Sequence, residues 1–160
     1  MADAPAALSQ GSLIRGLIGA LGGLVLYRLI TSFLETVLVG TNSDTRPEDF
    51  AAYYAVLGRP GVAATKLALD SVVAVLAGYM AARLAAQREL TFGALAAAVT
   101  TAELAWQHFG GEFAGATPWW MRTGLLLTTA PAMLAGAWVR GRARLADDAA
   151  AVEASEKPAP

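Results

Sequence analysis

The chain has 160 residues, the length of one domain, and 56% of them are hydrophobic while only 16% are charged. A formal net charge of −1 gives no basis for attracting a polyanion, so nucleic acid is not an expected partner. The absence of cysteine excludes disulfides, thiolate metal sites and thiol nucleophiles. The mean hydropathy of +0.47 is high for a soluble domain and favours a membrane protein.

Four apolar stretches approach the roughly 20 residues that a helix needs to cross the hydrocarbon core of a bilayer. They cover about residues 13–38, 67–86, 90–109 and 119–139. The second and fourth are apolar on every face, whereas a helix in a soluble bundle would carry a polar stripe. The sequence therefore predicts an all-α polytopic membrane protein, a bundle of four transmembrane helices within residues 1–145, with a soluble bundle as the alternative.

The first apolar stretch also resembles a signal peptide, because Arg15 precedes the apolar run from Gly16 to Tyr27. No small-residue cleavage site follows that run, since Arg28 and Leu29 occupy the place where it would lie. We therefore expect an uncleaved first helix, with cleavage as the alternative.

Arginine residues predict the orientation in the bilayer, because short cytoplasmic loops carry an excess of positive charge. Arg140, Arg142 and Arg144 directly follow the last predicted span and place the C-terminus in the cytoplasm. An even number of spans then places the N-terminus on the same side. The remaining segment, residues 146–160, is rich in Ala, Asp and Glu and is predicted to be a disordered tail.

The long loop between the first two spans contains a predicted amphipathic helix at about residues 46–57. Thr45 fits its N-cap and Glu48 completes a capping box. One face of this helix carries apolar and aromatic side chains at helical spacing, namely Phe50, Tyr53, Tyr54 and Leu57. We expect the helix to lie on the outer membrane surface, either as a connector or as a lid.

Small residues recur at intervals of four in three of the predicted spans, which allows helices to approach closely in lipid. They are Gly19 and Gly23, then Ala74, Gly78 and Ala82, and finally Ala132 and Gly136. This pattern predicts a tight bundle, and it is compatible with a homo-oligomer or a larger membrane complex.

Polar and charged side chains inside the spans mark the candidate site, because charge in hydrocarbon is costly. They are Arg28, Glu35, Asp70, Glu103, Gln107 and Arg122. At about 1.5 Å of rise per residue all of them fall in the outer half, and Arg28 and Glu103 lie at matching depths. We predict that these two form a pair. The cluster either holds the bundle together through ion pairs, lines an outward-facing cavity for a small molecule or ion, or relays protons.

No motif indicates an enzyme class, since the chain has no nucleophile elbow, phosphate loop, HExxH or dinucleotide fingerprint. The single histidine, His108, lies near the predicted outer interface and cannot form a bis-histidine haem site within one chain. We therefore expect no metal, no cofactor and no enzymatic activity. The favoured function is a membrane-embedded accessory or structural bundle, and the alternative is a transport or small-ligand-binding protein.

The second half of the chain resembles small uncharacterised bacterial membrane proteins. The resemblance rests on the sequence Ala-Gly-Tyr-Met-Ala-Ala-Arg-Leu at 77–84, the polar turn at 87–89, and Pro118-Trp119-Trp120 opening a last helix that contains Pro131 and Gly136. It implies a four-helix integral protein of the bacterial inner membrane without an assigned activity, and says nothing about chemistry.

Overall fold

The computed structural model describes residues 10–44, 49–85, 88–110 and 115–156, and no strand occurs within these ranges. The prediction of an all-α fold is confirmed. The elements in chain order are α1 (Gln10–Asn42), α2 (Phe50–Leu57), α3 (Pro60–Ala85), α4 (Glu89–Ala105), a π-helical turn (Trp106–Gly110) and α5 (Trp119–Glu156).

The start of α3 differs from the prediction, because the helix begins at Pro60 and not near residue 67. Proline suits the first turn of a helix, where its missing N–H would have no acceptor and its backbone angle is already helical. The early start places Lys66 inside the helix, one turn before Asp70.

The helix in the long loop, α2, ends at Leu57 as predicted but begins at Phe50. Its N-cap is Asp49, whose carboxylate accepts a hydrogen bond from the Ala52 N–H at 3.1 Å. This satisfies one of the backbone donors that the first turn leaves open. The predicted capping box of Thr45 and Glu48 lies outside the described residues.

The last helix is much longer than predicted, because α5 continues past residue 139 to Glu156. The prediction of a disordered tail is therefore wrong for residues 146–156, while residues 157–160 lie outside the described part. Alanine is the strongest helix former, and it is abundant in this segment. An ion pair at helical spacing, from Arg144 Nε to Asp148 Oδ2 at 3.8 Å, adds a small amount to the stability of this helical segment.

The long helices alternate in direction, with α3 in the centre against α1 on one side and α5 on the other, and α4 closing the bundle. One end, where α2 lies, is called the α2 end. The opposite end holds Arg83, Arg88 and Arg140 and is called the arginine end.

The predicted small residues bring the helices together in the half of the bundle nearer the arginine end. A Cβ atom on Gly23 would lie 3.0 Å from the Ala77 carbonyl oxygen, and one on Gly19 2.6 Å from that of Ala81. At Gly78 a Cβ would collide with the backbone of Met133. The small-residue motifs are therefore used for packing within the chain, where backbones meet directly.

Among the described residues, α1 and α3 are long and apolar enough to cross a membrane, by length and composition. The mean hydropathy of their best windows is 1.8 and 1.6.

Candidate functional site: a polar cavity at the α2 end

A cavity of about 230 Å³ lies between α1, α3, α5 and the π-helical turn at the α2 end. Its lining is mostly polar, with charged side chains from α1 and α3. Pockets for drug-sized ligands usually measure about 300–1,000 Å³, so this cavity suits a smaller molecule. The polar residues that line it are Tyr27, Arg28, Thr31, Ser32, Glu35, Tyr54, Lys66, Asp70, Gln107, His108 and Thr117.

Lys66 is the centre of a buried charge network. Its Nζ atom lies 2.8 Å from Glu35 Oε2 on α1 and 2.8 Å from Asp70 Oδ2 on its own helix. The side chains of Lys66 and Asp70 are only 8% and 4% exposed. A charge this deeply buried must be paired, and Lys66 pairs with two carboxylates at once. Lys66 was not among the predicted site residues, although its spacing of four residues from Asp70 was a usable signal.

The predicted pair of Arg28 and Glu103 is present, with Arg28 Nε 3.0 Å from Glu103 Oε1. Gln107 donates a hydrogen bond from Nε2 to the same oxygen at 3.2 Å. Both side chains of the pair are about a third exposed, at 33% and 34%. The pair therefore lies in an accessible cleft between α1 and α4 and not in a sealed core.

Arg122 does not join these ion pairs. Its guanidinium donates a hydrogen bond to the backbone carbonyl of His108 at 3.1 Å and lies 5.2 Å from the centre of the Phe109 ring. A cation at a helix C-terminus satisfies a carbonyl that has no partner within the helix. Arg122 thus fixes the π-helical turn that brings Gln107 and His108 to the cavity.

The helix α2 covers the cavity. Its Tyr53 hydroxyl donates a hydrogen bond to Glu35 Oε1 at 3.1 Å, and its Tyr54 and Leu57 line the cavity directly. Burial and the Glu35 carboxylate raise the pKa of Tyr53 to about 12, so this phenol remains a neutral donor at physiological pH. Val56 and Leu57 are buried against Val39 and anchor the cover.

Tyr27 lines the cavity and is fully buried. Its hydroxyl has no hydrogen bond of good geometry among the described residues, and the buried Thr129 hydroxyl of α5 is the polar group that interacts with it. Buried hydroxyls in folded proteins nearly always have a partner, because leaving one unpaired costs about 1–3 kcal/mol. The Tyr27 hydroxyl is therefore an under-satisfied donor beside the cavity.

The charges around the cavity balance. The cations are Arg28, Lys66 and Arg122, and the anions are Glu35, Asp70 and Glu103. Within the described ranges, no three His, Asp or Glu side chains converge as a set that could hold a metal ion. The site as a whole therefore presents both signs of charge and many hydrogen-bonding groups without an excess of either sign.

The energetic coupling of Arg28 and Glu103 can be measured with a double-mutant cycle. We expect Arg28→Ala and Glu103→Ala each to lower stability, and the double variant to lose less than their sum by about 1 kcal/mol. The coupling is modest because the pair is a third exposed and partly screened by solvent. Thermal unfolding of the purified protein and its three variants supplies the four stabilities.

The matched control for this cycle combines Glu103→Ala with Arg59→Ala. The Arg59 guanidinium is an exposed cation that donates its hydrogen bond to the backbone carbonyl of Asn42, so it shares no partner with Glu103 and these two changes should be additive. Additive effects of Arg28→Ala and Glu103→Ala would contradict a coupled pair.

No family model, no curated protein and no solved structure matches this chain.

Proposed function

We propose that this chain is a non-enzymatic, four-span membrane protein that binds a small polar molecule of zero net charge in the cavity at the α2 end. The observation that carries the proposal is a covered polar cavity of about 230 Å³ lined by two buried ion pairs of Lys66 and by the under-satisfied Tyr27.

Exposed apolar surface supports the membrane location. Large apolar side chains that are more than 40% exposed run along the whole of α1, at Ile14, Leu17, Ile18, Leu21, Val25, Leu29, Phe33 and Val37. Only 28% of the best window in α1 and 39% of that in α3 is buried inside the protein, which is unlike the core helix of a soluble protein. Contiguous apolar surface of this extent is rare on soluble monomers, and lipid would cover it.

The other two spans are supported by length and by aromatic residues. The 17 residues of α4 and the five of the π-helical turn together reach roughly 30 Å, enough for the hydrocarbon core. In α5, Trp119 and Trp138 are both exposed and lie about that distance apart along the helix. Tryptophan is enriched at the two membrane interfaces, so these residues mark the ends of the fourth span.

Charge distribution supports the orientation. The arginine end carries Arg83, Arg88, Arg140 and Arg142, so this end lies in the cytoplasm, together with both termini. The cavity then opens to the outer side. The resemblance of the second half to small bacterial membrane proteins supports a bacterial inner membrane as the proposed location.

Close packing of the inner half favours binding over conduction. The backbones of α3 and α5 are in contact at Gly78 and Met133. Gly19 and Gly23 allow α1 to pack closely against α3. In the outer half, longer side chains such as Tyr27 and Lys66 line the cavity between the helices. A molecule that enters from outside therefore meets a closed floor, as in a binding protein.

The ligand class follows from the balance of charge. Adding a net charge to a site that is already balanced would leave one charge unpaired in a medium of low dielectric constant, which is costly. A zwitterionic or uncharged molecule with hydroxyl or amide groups instead offers partners to Tyr27 and Gln107 without that penalty.

The test is a thermal-shift screen of the protein in nanodiscs, with small zwitterions, polyols, amines and carboxylates as the panel. A zero-net-charge compound should raise the unfolding temperature, since a ligand at 100 times its Kd contributes about 2.7 kcal/mol. Tyr27→Phe should weaken that ligand at least threefold. The same change should leave the unliganded protein as stable as before, because it removes an unpaired hydroxyl and keeps the ring.

The matched control is Tyr79→Phe, which changes a tyrosine of α3 that does not line the cavity. It should leave the ligand affinity unchanged. Stabilisation by charged compounds alone, or equal effects of the two tyrosine variants, would contradict the proposed ligand class and site.

The second candidate is a structural or accessory bundle, favoured by the direct contact of Arg28 with Glu103. It predicts that no compound in the panel stabilises the protein, and that the coupling of the pair is the main energetic effect of the cluster.

A further inference from the structure

The cavity at the α2 end contains one cation that uses only part of its hydrogen-bonding capacity. Arg28 lines the cavity, and the only partner of its guanidinium among the described residues is Glu103, whose Oε1 atom lies 3.0 Å from Nε. The second oxygen of Glu103 makes no hydrogen bond there, so Glu103 does not occupy the two terminal amino groups of Arg28. Those groups form a planar fork that matches a carboxylate. Because the Arg28 side chain is a third exposed, the fork is open to a second acceptor.

Lys66, the other basic side chain that lines the cavity, is less able to bind an anion. It already pairs with the carboxylates of Glu35 and Asp70, and its side chain is only 8% exposed. An anionic group that enters the cavity is therefore expected at Arg28.

Asp70 is the carboxylate of the cavity with spare acceptor capacity. Its Oδ2 atom accepts a hydrogen bond from Lys66 at 2.8 Å, while its Oδ1 atom accepts none from the described residues. An ionised carboxylate has about four acceptor sites, so a single donor leaves it under-satisfied. Glu35, by contrast, uses both oxygens, one with Lys66 and one with the Tyr53 hydroxyl. The cavity thus offers an anion-binding group on α1 and a cation-binding group on α3.

The volume of the cavity limits the size of the ligand. A water molecule occupies about 30 Å³ in the liquid, so a cavity of about 230 Å³ holds on the order of eight non-hydrogen atoms. Alanine and serine are smaller than that limit, whereas phenylalanine exceeds it.

We infer that the cavity binds a small amino carboxylate, with its carboxylate on the terminal amino groups of Arg28 and its ammonium group on Asp70. The inference rests on the proposed function and narrows its zero-net-charge ligand to one chemical class. Such a ligand gives each of the two protein groups a partner of opposite charge, and no ion pair of the protein has to break. A ligand with only one of the two charges would upset the balance of the site.

Isothermal titration calorimetry of the full chain at pH 7 tests the inference with alanine and four matched compounds. Alaninamide lacks the carboxylate, N-acetylalanine lacks the ammonium group, lactamide is the uncharged isostere, and phenylalanine is oversized. We expect alanine to bind at least tenfold more tightly than the first three, since hydrogen bonds between charged groups are the strong ones. Phenylalanine should not bind.

The variant Arg28→Lys keeps the positive charge beside Glu103 but removes the fork. It should weaken alanine by about tenfold and leave lactamide unchanged. The matched control is Arg59→Lys, which changes an exposed arginine of the same end that does not line the cavity. It should leave the affinity for alanine unchanged, and equal affinities of the two variants would overturn the assignment of the carboxylate to Arg28.

The compounds also separate this inference from the proposed function. If lactamide or a polyol binds, is weakened by Tyr27→Phe and is not surpassed by alanine, the amino carboxylate is overturned while the proposed function stands. If neither alanine nor any other compound of zero net charge binds, both are overturned.

Discussion

Replacing Lys66 by methionine is expected to destabilise the protein by about 3–5 kcal/mol, which is the usual effect of removing one partner from a buried ion pair. The cause is that two carboxylates lose their common cation. Glu35 and Asp70 both lie 2.8 Å from the same nitrogen, and without it two negative charges face each other in a buried site. Thermal unfolding in a fixed detergent measures the loss.

Neutralising the carboxylates should rescue the variant. When Lys66→Met is combined with Glu35→Gln and Asp70→Asn, the site contains no charge that needs compensation, and most of the lost stability should return. Glu35→Gln keeps an acceptor for the Tyr53 hydroxyl, so the cover formed by α2 should remain in place.

The matched control is Arg59→Met. Arg59 is an exposed cation at the same end, and among the described residues its guanidinium donates a hydrogen bond only to the backbone carbonyl of Asn42. Its loss should cost less than about 1 kcal/mol. An effect of Lys66→Met no larger than that of Arg59→Met, or a triple variant as unstable as the single one, would contradict the charge network.

The network also indicates what a single sequence can and cannot predict. Apolar stretches and charged residues at matching depth predicted the long helices and the pair of Arg28 and Glu103. Hydropathy locates apolar surface and not helix ends, so the predicted span begins near residue 67 and leaves out the first two turns of α3. With them Lys66, the centre of the network, was lost from the predicted site.

The pairing of Lys66 with Glu35 on α1 could not be predicted from local sequence patterns, because it depends on how α1 and α3 are aligned. Gly23 contacts Ala77 where α1 and α3 run antiparallel. From that contact, almost the same number of residues leads forward along α1 to Glu35 and backward along α3 to Lys66. The small residues at one end thus set the ion pairs at the other, and a single sequence does not say which helices are neighbours.

The same coupling of packing and site leads to the last prediction, Gly136→Leu. A Cβ atom at Gly136 would collide with the Val75 carbonyl oxygen and lie 2.8 Å from the Tyr79 nitrogen, so the obstacle is the backbone of α3. Overpacking typically lowers folding stability by 1–3 kcal/mol. Because the backbone cannot move aside as a side chain can, we expect a loss of about 3 kcal/mol here. The unfolding temperature should fall by roughly 6–12 °C.

Gly141→Leu is the matched control, since a Cβ atom there meets no other atom within 4 Å. It makes the same glycine-to-leucine change in the same helix, so both variants gain equally in intrinsic helix propensity. It should leave the unfolding temperature unchanged or raise it slightly. Because the crossing of α3 and α5 also forms the floor below the cavity, Gly136→Leu should weaken the cavity ligand, whereas Gly141→Leu should not. Equal stability of the two variants would mean that α3 and α5 do not meet backbone to backbone. It would then also contradict the close packing that we propose to close the cavity at its inner end.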